Sequence, residues 1–298
     1  PNSIASNEYA KLIYGKDHIL ANNNIGTEES VSSITTEDLK AYFNSFISPS
    51  VASFYIVGDI REDTVISSLT ELESNWSIKP VSLPEITVPN APENSKVYFY
   101  DVPGAKQSVI RFGYPALAYT DADYYPATVM NYRLGGGGFA SQFTQQLRES
   151  KGYTYGIGSY FSGTNNKGPF TISSGVRSNV TYESASLIKE ILEQYAVNYN
   201  ESDLDVTKCF MIKSNARAFE TMNSKLNILS NIDSYDLPVD YAKQRETVVK
   251  ALSVSDIKDL ANKYLNANKM IYLIVGDAET QLDKLENLGF GKPVLLNE

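Results

Sequence analysis

Apolar residues recur at helical spacing in the first part of the chain. Residues 4–13 and 62–73 each follow this pattern and are predicted to be helices. Between them, Thr35 is a candidate N-cap followed by an apolar stripe, so a helix is predicted from there to Pro49. The run Ala52–Val57 then has the apolar character of a buried strand, and it stops at a glycine.

A proline-rich segment interrupts these patterns. Its prolines recur without periodicity at Pro80, Pro84, Pro89 and Pro92. Proline lacks a backbone N–H and fixes φ, so the segment is too proline-rich for a helix or a central strand. We therefore predict an extended linker over residues 78–94 and a domain boundary at this point.

Beyond the linker, strand-like segments come mostly before helical ones. Strands are predicted at Lys96–Val102, Gln107–Tyr114, Tyr153–Phe161, Phe170–Arg177 and Met270–Val275. Helices are predicted at 122–134, at 139–150 and then in succession between residues 180 and 265. This order is typical of the α+β class rather than of a doubly wound α/β fold.

Residues 35–59 and 253–277 form an internal repeat without gaps, at a constant offset of 253 − 35 = 218. Both copies begin with a capped helix and end with a strand and the sequence Ile-Val-Gly-Asp. Self-similarity of this kind predicts two copies of one architecture. The second copy takes about 180 residues to reach its Gly-Asp stop, so about 120 residues of the first copy are expected to precede this chain.

The repeat and the linker together predict the domain organisation. We expect residues 1–77 to be the C-terminal part of a truncated first lobe, and residues 95–298 to be a complete second lobe. An incomplete sheet leaves open edges, which tend to pair with other chains. A homodimer is therefore one expected assembly.

Composition and charge exclude several classes of protein and site. The net charge is 26 − 35 = −9, which argues against a nucleic-acid partner. The chain also contains no run of about 18 apolar residues, the length that a helix needs to span a bilayer. A single cysteine, Cys209, excludes an internal disulfide, and its position on a helical stripe predicts burial. A single histidine, His18, excludes a metal site with two histidine ligands. An acidic, cysteine-poor chain fits the bacterial periplasm or envelope and the cytoplasm equally.

The glycine run Gly135–Gly138 separates two predicted helices. No Gly-Lys-Ser/Thr follows it and no strand directly precedes it, so a phosphate-binding loop is not supported. We interpret the run as a turn between the helices. The whole stretch Leu134–Phe161, however, resembles the second domain of the insulinase/pitrilysin-type zinc metallopeptidases, which carry an inverted zinc motif.

Further matching segments follow in order along the chain: Gly26–Ser30, Val57–Asp59, Pro103–Ser108 and Ser174–Arg177. The resemblance therefore covers essentially the whole chain. It implies an α+β fold, with a metallopeptidase-like lobe of a mixed, largely antiparallel sheet packed with helices. It also implies the partial tail of a second, similar lobe, in agreement with the repeat.

The resemblance places the metal outside this chain. In this family the first lobe carries His-x-x-Glu-His, whose histidines bind zinc with a later glutamate, while the motif's own glutamate activates water. This chain has no such motif, and His18 is interpreted as a loop or packing residue. We therefore assign no metal ligand and no cofactor here, and expect zinc in a missing N-terminal lobe.

The resemblance assigns this chain's catalytic contribution to Arg148 and Tyr155. In the family this pair reaches across the cleft and holds the substrate near the scissile carbonyl. Guanidinium and phenol are both hydrogen-bond donors, suited to a developing oxyanion. From the residues alone, an alternative stays open: a helix-end arginine on the helix dipole and a packed tyrosine.

Two functions are compatible with this sequence. The first is the C-terminal, substrate-holding region of a zinc-dependent endopeptidase that degrades or processes peptides, with the chain inactive by itself. Its partners would be a peptide substrate and the missing N-terminal lobe or a catalytic partner subunit. The alternative is a non-catalytic, peptidase-like subunit or half that serves as a scaffold or substrate-binding partner. A His-x-x-Glu-His motif upstream would distinguish the two.

Overall fold

The structure, a computed structural model, describes residues 1–297 apart from the side chain of Ala216. The described residues divide into two compact units. The first, which we call the sheet unit, comprises Pro1–Asn22, Thr87–Ile212 and the chain from Lys243 onward. The second, the helical unit, comprises Asn23–Ile86 and Lys213–Ala242.

The sheet unit is built on one mixed sheet of six strands in the order β3-β4-β2-β5-β1-β6. The strands are β1 Lys96–Asp101, β2 Gln107–Leu117, β3 Thr154–Phe161, β4 Gly168–Arg177, β5 Ile271–Gly276 and the short β6 Val294–Leu295. The pairs β3–β4, β4–β2 and β2–β5 are antiparallel, whereas β5–β1 and β1–β6 are parallel. The predicted α+β fold with a mixed, largely antiparallel sheet is confirmed.

The α-helices of the described residues follow the predicted order, except that the predicted helix 139–150 is divided into a 3-10 turn, Gly138–Ala140, and a π-helical turn, Thr144–Ser150. They are α1 Asn2–Tyr14, α2 Glu28–Ser33, α3 Thr36–Phe46, α4 Glu62–Asn75, α5 Tyr124–Asn131, α6 Thr181–Asn198, α7 Glu201–Asn215, α8 Met222–Ser234, α9 Tyr241–Ala251, α10 Val254–Tyr264 and α11 Ala278–Gln281. Residues 78–94 form neither helix nor strand, in keeping with their proline content.

The centre of the sheet is buried on both faces, as β5 shows. Its residues Tyr272 and Ile274 belong to the main core, which also contains residues of α5, α6 and α10. Its alternate residues Ile271, Leu273 and Val275 face α1 on the other side. Successive strand residues point to opposite faces, so a fully apolar strand of this kind suits a sheet covered on both sides.

Helix α1 lies in the sheet unit. Its buried residues Ala5, Tyr9 and Ile13 pack on the second face of the sheet. The sequence groups residues 1–22 with the rest of a first lobe, whereas in the structure they pack with the sheet. The boundaries after residues 77 and 94 stay predictions.

The predicted strand Ala52–Val57 is wrong. These residues are mostly exposed and form no strand, and the Ser53 and Tyr55 hydroxyls instead donate to the Asp233 carboxylate at 2.7 and 2.5 Å. A strand needs a partner strand for its backbone groups, and no segment of the helical unit, as described, provides one. Two parts of the repeat do recur: the α-helix with its capping box at Thr35 and Ser253, and the capped 3-10 turn that follows it, Pro49–Val51 and Ala267–Lys269.

The burial predicted for Cys209 is also wrong, because the cysteine is exposed. Helix α7 buries Asp203, Leu204 and Thr207. Each helical residue advances about 100° around the axis, so Cys209 lies about 200° from Thr207 and faces away from the core.

Candidate functional site

Arg148 and Tyr155 line the same concavity of about 410 Å³ at one end of the sheet. This concavity, which we call the edge cavity, lies where β2 and β3 begin and β4 ends. Its other polar side chains include Gln107, Glu149 and Arg177. The structure thus brings the two sequence-predicted site residues together, although they come from a helical turn and from a strand.

The chain reverses tightly between these two residues. Arg148 lies in a π-helical turn, Thr144–Ser150, whose Leu147 is fully buried. The turn ends at Gly152, which has a left-handed φ of 62° and donates its N–H to the Arg148 carbonyl at 3.0 Å. The Tyr153 N–H then donates to the Leu147 carbonyl at 2.8 Å, which fixes the start of β3 against the turn. Glycine suits this left-handed position because it has no Cβ.

The Arg148 guanidinium is partly held in place. Its central carbon lies 4.7 Å from the centroid of the exposed Phe139 ring, a cation–π geometry. Its Nε lies 3.3 Å from a carboxylate oxygen of Glu149. The terminal guanidinium nitrogens make no hydrogen bond to any described residue, so they are available to a ligand in the edge cavity.

A β-bulge presents Tyr155. Between β3 and β4, Thr154 pairs with Val176 and Ile157 pairs with Ser174, so Tyr155 and Gly156 together oppose one residue of β4. An extra residue of this kind bends a strand and re-aims its side chain. Tyr155 is 86% exposed, and within the described chain its hydroxyl has no hydrogen-bond partner. The alternative of a packed tyrosine is therefore wrong.

Two buried hydroxyls satisfy the backbone of this bulge. The Thr154 hydroxyl donates to the Gly175 carbonyl at 2.6 Å and accepts from the Gly156 N–H at 3.0 Å. The Ser174 hydroxyl lies 3.0 Å from both the Thr154 hydroxyl and the Gly156 carbonyl. Sequence reasoning missed this pair, because a bulge depends on the register of two strands and single hydroxyl residues give no signal for it.

Arg177 was also missed as a site residue. It ends β4, opposite Gln107 on β2, and both side chains are exposed. Its guanidinium has no ion-pair or hydrogen-bond partner among residues 1–297. The only signal in the sequence is the Ser174–Arg177 segment, which carries part of the family resemblance but does not indicate a binding role for the arginine.

The glycine run is tightly packed where it begins: Gly135 and Gly136 end a π-helical turn, Tyr132–Gly136. A Cβ on Gly135 would lie 2.2 Å from the Ser159 hydroxyl of β3, so only glycine allows this approach. The neighbouring Arg133 forms a salt bridge of 2.7 Å with the buried Asp203 of α7, and it also donates to the Ala140 carbonyl. The turn is therefore tied to β3 on one side and to α7 on the other.

Metal-binding groups are sparse in the part of the chain that the structure describes, where no three His, Cys, Asp or Glu side chains lie close enough to hold an ion. Both nitrogens of His18 are engaged: Nδ1 accepts from the Leu20 N–H at 3.1 Å, and Nε2 donates to the Thr87 carbonyl at 3.0 Å. His18 also stacks on Tyr14. The interpretation of His18 as a loop residue is confirmed.

None of the described helices is both long and apolar enough to cross a membrane.

Comparison with known protein families gives a match over residues 33–208, which is more than half of the chain. The matching family is described as the peptidase M16 inactive domain. Among solved structures, the chain is similar to the peptidase M16 inactive domain from Pseudomonas fluorescens, with a TM-score of 0.83 and 26% identity. That match covers 93% of this chain and 66% of the other.

Two curated bacterial proteins are also similar. The Helicobacter pylori protein named non-peptidase homolog YmxG is 24% identical over 262 residues, covering 87% of this chain and 59% of its own length. The Bacillus subtilis protein named uncharacterized zinc protease YmxG is 25% identical over 228 residues, covering 76% of this chain and 54% of its own length. The chain thus spans little more than half the length of these relatives.

Proposed function

The chain belongs to the peptidase M16 inactive-domain family, and we propose that it is the C-terminal, substrate-holding region of a zinc-dependent endopeptidase. The observation that carries this proposal is the convergence of Arg148 and Tyr155 on the edge cavity. Both present unengaged polar atoms to it, the terminal nitrogens of the guanidinium and the phenol hydroxyl.

The proposed chemistry divides between this chain and another. Zinc would polarise the scissile carbonyl and activate water when bound, and its ligands would come from an N-terminal lobe or a partner subunit. In this chain, Tyr155 and Arg148 would donate hydrogen bonds to the carbonyl oxygen of a peptide substrate. Such donors stabilise most strongly where negative charge develops in the transition state.

The exposed face of α3 supports a requirement for a partner lobe or subunit. Leu39 and Phe43 of α3 are 61% and 55% exposed, whereas their counterparts in the repeat, Ile257 and Ala261 of α10, are 0% and 3% exposed. The same helical stripe is thus covered in one copy and bare in the other. We propose that the remainder of a first lobe covers α3, as the core of the sheet unit covers α10; a second copy of this chain is the other candidate.

A second candidate function is a non-catalytic scaffold or peptide-binding subunit. The name of the Helicobacter pylori relative, a non-peptidase homolog, favours it. This candidate keeps peptide binding at the edge cavity and removes only the bond cleavage.

Peptide cleavage by the full-length protein that contains this chain tests the proposal. With zinc supplied, we expect Tyr155→Phe to lower kcat by a factor on the order of 10²–10³, because it deletes one transition-state donor and keeps the ring. kcat and kcat/KM should fall together. Cleavage at the parental rate by Tyr155→Phe and by a folded Arg148→Gln variant would refute the assigned site. Peptide binding without any cleavage would favour the non-catalytic candidate.

A further inference from the structure

The edge cavity contains a cationic group that the proposed carbonyl contacts do not use. Arg177 lines it from the end of β4, with an exposed side chain. Its guanidinium makes no ion pair or hydrogen bond within the described part of the chain. An unpaired arginine is notable in a protein with a net charge of −9.

The charges around the cavity leave a net positive site for a ligand. Arg148 and Arg177 both line it, and Glu149 is the acidic side chain among the lining residues. Glu149 lies against Nε of Arg148, so the full fork of Arg177 and the terminal nitrogens of Arg148 stay free. The amide of Gln107, directly across from Arg177 in the β2–β4 register, adds a further donor.

A planar guanidinium fork matches a carboxylate with two parallel hydrogen bonds. We propose that the edge cavity binds a carboxylate of the peptide substrate, and that Arg177 determines this specificity. This inference rests on the proposed function and extends it: Tyr155 and Arg148 would hold the peptide backbone, while Arg177 would select an acidic group beside it.

The carboxylate fits this site better than a polyanion does. Glu149 and the acidic net charge repel ligands that carry several negative charges. A single carboxylate brings one charge, which one guanidinium can neutralise. The carboxylate has two sources in a peptide, an Asp or Glu side chain or the C-terminus, and the experiment separates them.

The test measures binding of short, unstructured, fluorescently labelled peptides to the 298-residue chain by anisotropy. One peptide carries a central glutamate and an amidated C-terminus, the second has glutamine in its place, and the third is the glutamine peptide with a free C-terminus. We expect Arg177→Gln to weaken binding of a carboxylate-bearing peptide about tenfold and to leave the amidated glutamine peptide unchanged. If Arg177→Gln weakens binding of the first peptide, the bound carboxylate belongs to the glutamate side chain. If it weakens binding of the third peptide, the bound carboxylate is the C-terminus.

Matched controls separate recognition from general charge and from unfolding. Arg61→Gln removes the same charge from an exposed arginine outside the cavity and should change no affinity. Arg177→Lys keeps the charge but loses the fork, so it should recover only part of the binding. Circular dichroism checks that each variant is folded. Raising the salt concentration should shrink the preference for carboxylate, because exposed charges are screened.

Three results would overturn the inference. Equal binding of all three peptides, unchanged by Arg177→Gln, refutes the carboxylate site and leaves the proposed function standing. A phosphoserine peptide that binds more tightly than the glutamate peptide, with the same dependence on Arg177, replaces carboxylate by phosphate as the ligand. Failure of every peptide to bind overturns this inference, and cleavage by the full-length protein decides the proposed function separately.

Discussion

The bulge that presents Tyr155 can be tested by removing a single hydroxyl. Thr154→Val keeps the shape of the side chain but deletes the donor to the Gly175 carbonyl and the acceptor for the Gly156 N–H. A buried polar group left without a partner costs about 1–3 kcal/mol. Gly156 and Gly175 are both exposed, so water can take over part of their hydrogen bonding. We therefore expect a loss in the lower part of that range, about 1–2 kcal/mol.

Urea unfolding of the parent and the variants measures this loss as a shift of the midpoint at constant slope. Thr154→Ser is the matched control, because it keeps the hydroxyl and removes only a methyl group. The serine variant should unfold closer to the parent than the valine variant does. The valine variant should also bind peptide more weakly, because the bulge that aims Tyr155 would loosen. An unshifted midpoint and parental peptide affinity for Thr154→Val would refute the role assigned to the hydroxyl.

Two further predictions concern the support of the sheet unit. Gly135→Ala places a Cβ 2.2 Å from the Ser159 hydroxyl, so it should destabilise the fold by about 1–3 kcal/mol, measured by urea unfolding; a parental midpoint would contradict this close packing. The hydrogen bonds from Lys263 and Tyr264 lower the pKa of Asp123. A carboxyl whose pKa is lowered by folding stabilises the fold at pH values above about 3.9, the ordinary aspartate pKa. This stabilisation is lost as the pH falls through the pKa of the folded state. Asp123→Asn should therefore lose stability at neutral pH and show a weaker acid dependence between neutral and acid pH; parallel stability profiles would contradict this.

Local patterns in the sequence predicted the helices and the hairpin, and long-range pairing decided the rest. The Thr35–Asp38 and Ser253–Asp256 capping boxes were readable because each involves residues only three apart. The segment Ala52–Val57 has the same apolar character as β5, yet it forms no strand, because a strand also needs neighbours. The bulge at Tyr155 and the arrival of Arg177 in the edge cavity depend on how β3, β4 and β2 align. Neither can be inferred from one strand alone.

A left-handed glycine and a β-bulge set the path of the backbone at the two predicted site residues. Gly152 turns the chain after Arg148, and the bulge with its Thr154 hydroxyl sets the direction of Tyr155. The tip of Tyr155 and the terminal nitrogens of Arg148 bond to no described residue. Deleting those polar atoms should therefore change ligand contacts and not stability, whereas changing Thr154 should change both. Effects of Tyr155→Phe and Thr154→Val on binding and on unfolding consequently separate the atoms that touch a substrate from the atoms that hold them in place.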